Sequence, residues 1–143
     1  MTMSLFQNVG RLLVLLAVLA AFHIPTADAA VQRLDVTSIA KLWRSGYAYL
    51  DVRTSEEVAA GRVPKSVNVP WVSRGPTGQQ INPNFLQQVK AAFPGPSTKL
   101  IVACQTGRRS DPAAKLLIAH YPNLVESSSG YVGWVAAGLP TVT

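Results

Sequence analysis

The sequence predicts an α/β domain, a parallel sheet with helices on both faces. Two observations point there. From residue 31 onward, short β-prone apolar runs alternate with segments of helical spacing, the pattern that places helices between parallel strands. And Leu100-Ile-Val-Ala-Cys104-Gln-Thr-Gly-Arg-Arg-Ser110 joins an apolar run to a helix through a tight loop. A strand feeding a loop that opens a helix is a common layout for anion and nucleophile sites in such domains.

Taken in order, Met1 to Ala30 has the features of a targeting segment. Arg11 precedes an unbroken apolar run, Leu12 to Phe22, and Ala27-Asp28-Ala29 is a small-x-small cleavage pattern. The run of eleven residues is short for a membrane span, which needs about 20. A cleaved secretory signal is therefore expected over residues 1–30, with a single domain over 31–143 and an extracytoplasmic destination. An uncleaved membrane anchor and the lumen-targeting half of an organelle presequence are the alternatives.

Val31 to Leu34 reads as a short edge strand. Asp35 or Thr37 caps a helix carrying Ile39, Leu42 and Trp43, which Gly46 ends. Tyr47 to Val52 is a buried strand. Thr54-x-x-Glu57 is a capping box for a short helix stopping at Gly61. A turn at Val63-Pro64 precedes a brief strand, Ser66 to Val69, closed by Pro70. Trp71 to Pro83, with its Gly, Pro, Asn and Gln, reads as a long surface loop. Phe85, Leu86, Val89 and Phe93 share one helical face within Asn84 to Phe93, and Pro94-Gly-Pro96 breaks that helix. Lys99 to Ala103 is the central strand and Ser110 to His120 its crossover helix, with Pro112 tolerated in the first turn. Leu124-Val125 is a last strand. Tyr131 to Ala137 is a last helix, closed by Gly138 and Pro140.

Composition narrows the partners. The 48% hydrophobic content is inflated by the first thirty residues. Leaving out Arg11 and Asp28 of that segment, the thirteen Lys and Arg become twelve and the seven Asp and Glu become six. The basic residues are scattered with little aromatic interleaving, which argues against nucleic-acid binding. A small anionic substrate drawn to a positive cleft suits the charge better. One cysteine excludes an internal disulfide and any cysteine-rich metal site. No metal or other cofactor is suggested, and a monomer is expected. Membrane contact is expected only if the N-terminal segment stays uncleaved.

Ligands of parallel sheets sit beyond the carboxyl ends of the strands. Asp51 to Arg53 and Cys104 to Arg109 both follow strand ends and are expected on one edge. A lone cysteine at a strand end is more often a small buried hydrophobe. Here a loop of Gln105, Thr106, Gly107, Arg108 and Arg109 follows it, with backbone N–H groups able to point inward at a helix start. Such surroundings lower a thiol's pKa, and the thiolate is the nucleophile. Arg109 is expected either to lock the loop or to touch substrate, and Arg108 either to reach a free anion or to stand as a solvated surface arginine. Asp51 and Arg53 are expected as structural partners, Asp51 fixing a loop arginine and Arg53 pairing with Glu57. Trp43 and Trp134 are expected in the core, Trp71 at the mouth of the site, and His120 at a helix end.

Several stretches together resemble the rhodanese family of single-domain sulfurtransferases. They are Leu50-Asp-Val-Arg-Thr-Ser-Glu-Glu57, Gly61-Arg-Val-Pro-Lys-Ser-Val-Asn-Val-Pro70, Ile101 to Ser110, Gly130-Tyr-Val-Gly-Trp134 and Gly138-Leu-Pro140. The middle loop, Arg74-Gly75 through Asn82-Pro83-x-Phe85-Leu86, is similar to that of the plant and algal single-domain type. The resemblance implies about five parallel strands and a double displacement. Cys104 takes the outer sulfur of a donor such as thiosulfate, holds it as a persulfide and passes it to cyanide or a thiol. A low-turnover sulfur carrier or regulatory binding module is the alternative. Phosphatases of similar fold carry the loop arginine one residue further from the cysteine; here that position is Ser110, so the loop suits one sulfur better than a phosphoryl group. Arg62, Lys65 and Ser129 depart from the family pattern without removing a catalytic atom. Asp111 places a carboxylate near an anion site and is expected to weaken donor binding.

Overall fold

In a computed structural model that describes residues 30–143, five strands form one parallel sheet. They are β1 (Gln32–Leu34), β2 (Ala48–Asp51), β3 (Val67–Asn68), β6 (Leu100–Ala103) and β7 (Leu124–Ser127), in the order β1-β7-β6-β2-β3. The targeting segment read over residues 1–30, with His23, lies outside the described residues except for Ala30. Among the described residues no helix is long and apolar enough to cross a membrane.

Period-two alternation sorts the strand side chains onto two faces. Leu50, Val52, Leu100, Val102 and Leu124 pack on one face with Phe85 and Val89 of α3 (Phe85–Ala92) and Ala113, Ala114 and Leu117 of α4 (Ser110–Leu117). Tyr49, Ile101, Ala103 and Val125 pack on the other with Ile39 and Ala40 of α1 (Val36–Arg44) and Trp134 of α5 (Gly130–Ala136). The expected α/β architecture is therefore present, with both faces covered.

Local signals account for two of the helix starts. Asp35, rather than Thr37, caps α1 by accepting from the Ser38 amide at 2.8 Å. Thr54 and Glu57 complete the capping box of α2 (Ser55–Ala59) in both directions, at 3.3 and 2.9 Å. Helix α4 ends at Leu117, so His120 stands in the following turn and not on the helix. Trp134 is 1% exposed, meets Trp43 and Tyr49 edge-on, and donates its Nε1–H to Pro140 O at 2.7 Å.

One segment differs from expectation. Trp71 to Pro83 is not an irregular loop but holds an antiparallel hairpin, β4 (Val72–Gly75) with β5 (Gly78–Ile81). Every residue of β5 is exposed, so the strand carries no apolar alternation to reveal it. Trp71 is not at the mouth of the site either. It is 8% exposed and packs edge-on against Phe85, ring centroids 5.0 Å apart.

Candidate active site

Strand register brings the predicted residues to one edge. Asp51 pairs with Ala103, and Cys104 follows directly. The loop after Cys104 is then shaped by which of its polar groups find partners. The carbonyls of Cys104 and Gln105 accept from the Tyr131 and Val132 amides at the start of α5, at 2.8 and 3.1 Å. Gly107 O accepts from the Asp111 amide at 3.3 Å. With those carbonyls held by the helices, amides are left to face the sulfur. Gly107 N donates to Cys104 Sγ at 3.0 Å, and Ser110 Oγ lies 3.5 Å from the same atom. Gly107 takes φ +93°, a region that side chains resist, to present that amide.

Burial of Cys104 alone would raise its thiol pKa. The Ser110 hydroxyl and the amides of Ser110, Arg109 and Thr106 outweigh it, and the net direction is down, toward the thiolate. Cys104 is 1% exposed, so its sulfur is covered. The cleft of about 530 Å³ lined by Thr54, Ser55, Pro70, Arg74 and Asn82 includes no residue of the loop 104–109 and is a separate feature.

The arginines lie in the predicted region but exchange partners. Arg53 does not pair with the Glu57 carboxylate. Its Nε reaches both Asp51 oxygens at 3.0 Å, and Nη2 reaches Asp51 Oδ2 at 2.7 Å and Gly61 O at 2.8 Å. Nη1 reaches Glu57 O at 3.4 Å and Gln105 Oε1 at 3.3 Å, while Tyr131 covers the guanidinium, its ring centroid 3.9 Å from Cζ. Asp51 therefore holds Arg53 and not a loop arginine. Arg53 in turn steadies the Gln105 side chain. Glu57 takes Arg109 through two parallel bonds of 2.7 and 2.8 Å, which tie the end of the loop to α2. Thr106 and Arg108 are exposed. Asp111 is bound to Lys115 one turn along α4, at 2.8 Å, which offsets the charge expected to disturb an anion. Among the described residues no group of three His, Cys, Asp or Glu is placed to hold a metal.

The Arg109 bonds hold the Glu57 carboxyl down from 4.5 to about 2, against the opposite pull of burial. A depressed carboxylate contributes stability that is present above the unfolded pKa and is lost as pH falls through the folded one. The loop anchor is thus expected to weaken between pH 4.5 and about 2. Glu57→Gln is expected to flatten the stability curve in that window, as measured by urea unfolding at stepped pH.

Sequence reasoning did not single out Ser110 as a sulfur partner, nor Glu126 and Arg33. Glu126 is fully buried in β7, accepts from Ser110 Oγ at 2.5 Å and pairs with Arg33 Nε at 2.6 Å. An acidic residue directly after the apolar pair Leu124-Val125, at the same sheet edge as Asp51, was the available signal.

Comparison with known proteins agrees with this geometry. Residues 27–137 match the rhodanese-like domain family. The chain is 42% identical over 109 residues to thiosulfate sulfurtransferase 16, chloroplastic, of Arabidopsis thaliana, covering 76% of this chain and 90% of that protein. Thiosulfate sulfurtransferase 18 of the same plant is 36% identical over 116 residues, covering 79% and 85%. Among solved structures, a rhodanese-related protein from Thermoplasma volcanium superposes with a TM-score of 0.62 at 23% identity, covering 78% of this chain and 97% of that one. That likeness speaks to the fold.

Proposed function

The chain belongs to the rhodanese-like domain family, and on that premise we propose that it moves sulfane sulfur through a persulfide on Cys104. It is a thiosulfate sulfurtransferase-like enzyme. The Cys104 thiolate attacks the outer sulfur of thiosulfate. An S–S bond forms to Sγ as the donor's S–S bond breaks, and sulfite leaves with the electron pair. Cyanide or a thiolate then attacks the terminal sulfur, and the Cys104 thiolate departs as leaving group. Preorganised amides aimed at a developing anion stabilise it without reorganisation. The observation that carries this reading is the Gly107 amide donating to Sγ from a loop in which the Cys104, Gln105 and Gly107 carbonyls are held elsewhere.

The test is thiosulfate-to-cyanide turnover together with intact mass. Wild type is expected to gain the mass of one sulfur atom with thiosulfate and lose it with cyanide, and Cys104→Ser to do neither. Equal turnover in both proteins would overturn the assignment. Arg108, exposed in the loop, is proposed as the first contact of the incoming anion. Arg108→Ala is expected to raise KM for thiosulfate severalfold with kcat nearly unchanged, the signature of lost uniform binding.

A second reading, a slow sulfur carrier, is favoured by the coverage of Cys104. It predicts a stable persulfide mass with negligible discharge, and rapid loss of that mass to cyanide counts against it. Processing near Ala30 and export belong to the same proposal. The mass of protein purified from its own compartment reads that start site and the sulfur state together.

A further inference from the structure

Ser110 stands between two acceptors. Its Oγ is 2.5 Å from Glu126 Oε1 and 3.5 Å from Cys104 Sγ. A hydroxyl has one hydrogen and serves one of them at a time. Glu126 is fully buried at this edge of the sheet, and its other oxygen is taken by Arg33 Nε of the edge strand β1 at 2.6 Å. The Arg33 side chain is half exposed, and its guanidinium reaches back over the sulfur loop. A Cβ built on Gly107 would meet Arg33 Nη2 at 3.1 Å. An unbroken line of polar contacts thus runs from a solvent-facing cation to the nucleophile.

We propose that Glu126, neutralised by Arg33, is a positioning residue that sets how readily Cys104 ionises, by competing with its sulfur for the Ser110 hydrogen. With that hydrogen on Glu126, Ser110 Oγ turns a lone pair toward Sγ and accepts the S–H, which favours the thiol. When the thiol gives its proton to solvent water, the hydroxyl rotates and donates to the sulfur anion. Glu126 then keeps only Arg33. A buried carboxylate left without any partner is strongly disfavoured, so Arg33 is what makes the exchange accessible. The anionic sulfur is thereby stabilised against a defined competitor. The strength of that competitor is adjustable at a surface residue 93 positions away in the chain. The inference rests on the reading of Cys104 as the reactive sulfur.

Other titratable groups lie close enough to Cys104 to act on it electrostatically, and they stay constant in the test. They are Tyr49 from β2, Arg109 from the loop, and the Asp51–Arg53 pair beyond Gln105. Cys104 is the single cysteine, so alkylation by iodoacetamide reports on it alone. The quantity to read is the pH midpoint of the alkylation rate. Glu126→Gln removes the charge and leaves a weaker acceptor for the hydroxyl, so the midpoint is expected to fall and the thiolate fraction at a pH below it to rise by about three- to tenfold. Arg33→Met leaves the carboxylate uncompensated and is expected to move the midpoint up. Ser110→Ala is expected to raise it as well, and in that background Glu126→Gln should lose the larger part of its effect. Opposite shifts from the two ends of one chain of contacts are not what loosened packing produces.

Unmoved midpoints, or Glu126→Gln and Arg33→Met shifting in the same direction, would overturn the proposal. If Glu126→Gln does not fold, the half-exposed Arg33 decides alone, and a midpoint that falls or stays put is then the contrary result. Sulfur transfer measured on the same proteins separates the two levels. Fast transfer with unmoved midpoints defeats this inference and leaves the enzyme standing. Moved midpoints without transfer do the reverse.

Discussion

Arg53→Met is expected to destabilise the domain by about 3–5 kcal/mol, because it leaves a buried charge without its counter-charge. Arg53 and Asp51 are each 1% exposed. Without the guanidinium, the Asp51 carboxylate keeps only the Arg53 backbone amide, at 3.0 Å. Gly61 O and Glu57 O lose a donor, Gln105 loses its anchor and Tyr131 loses the cation under its ring. A drop in Tm on the order of 10–20 °C follows for a domain of this size. Arg53→Lys is expected to recover little, because an ammonium cannot reproduce the planar fork that serves Asp51 and Gly61 together. Adding Asp51→Asn to Arg53→Met should recover part of the loss by removing the stranded charge. Urea unfolding of the four proteins checks this, and an unchanged midpoint in Arg53→Met would show the pair to be dispensable.

Gly107→Ala is expected to lower sulfur-transfer kcat by about 10²–10³-fold while leaving the fold in place. The residue sits at φ +93°, and a Cβ there would meet Ser128 O at 2.6 Å. Both the backbone conformation and the space therefore require glycine. To relieve the contact the loop must shift, and the amide that donates to Cys104 Sγ moves with it. Loss of one preorganised donor to a developing anion costs about 2.7–4 kcal/mol in the transition state. The Cys104 alkylation midpoint should rise in the same variant. Gly78→Ala is the control, with φ +109° and nothing within 4 Å of the added carbon, in the hairpin rather than the sulfur loop. It carries the same kind of backbone strain, and its turnover should match wild type. Comparable losses in both variants would remove the special status given to the Gly107 amide.

The contrast between Arg53 and Arg109 explains why ion pairs were harder to read than helices. The spacing of Arg53 and Glu57 is that of neighbours on a helix. Arg53 precedes the Thr54 cap, however, and lies in a bend just past β2, where its own backbone amide already donates to Asp51 Oδ1. Asp51 is therefore its partner, and Glu57 turns to Arg109, 52 residues away. The missed hairpin has a related cause. Its pairing runs through backbone groups, from Val72 with Ile81 to Gly75 with Gly78, and β5 buries no side chain that would leave a pattern.

From the sequence alone came the alternation of strands and helices, the capping box at Thr54, and the placement of Cys104 at a strand end before a glycine- and arginine-bearing loop. All of these depend on neighbours within a few residues, and local sterics and hydrogen bonding decide them. Which charge meets which, how far the sulfur is covered, and the line from Arg33 through Glu126 and Ser110 to Cys104 were decided by packing. Those contacts join strands distant in the chain, and only sheet order and register bring β1, β7 and β6 side by side.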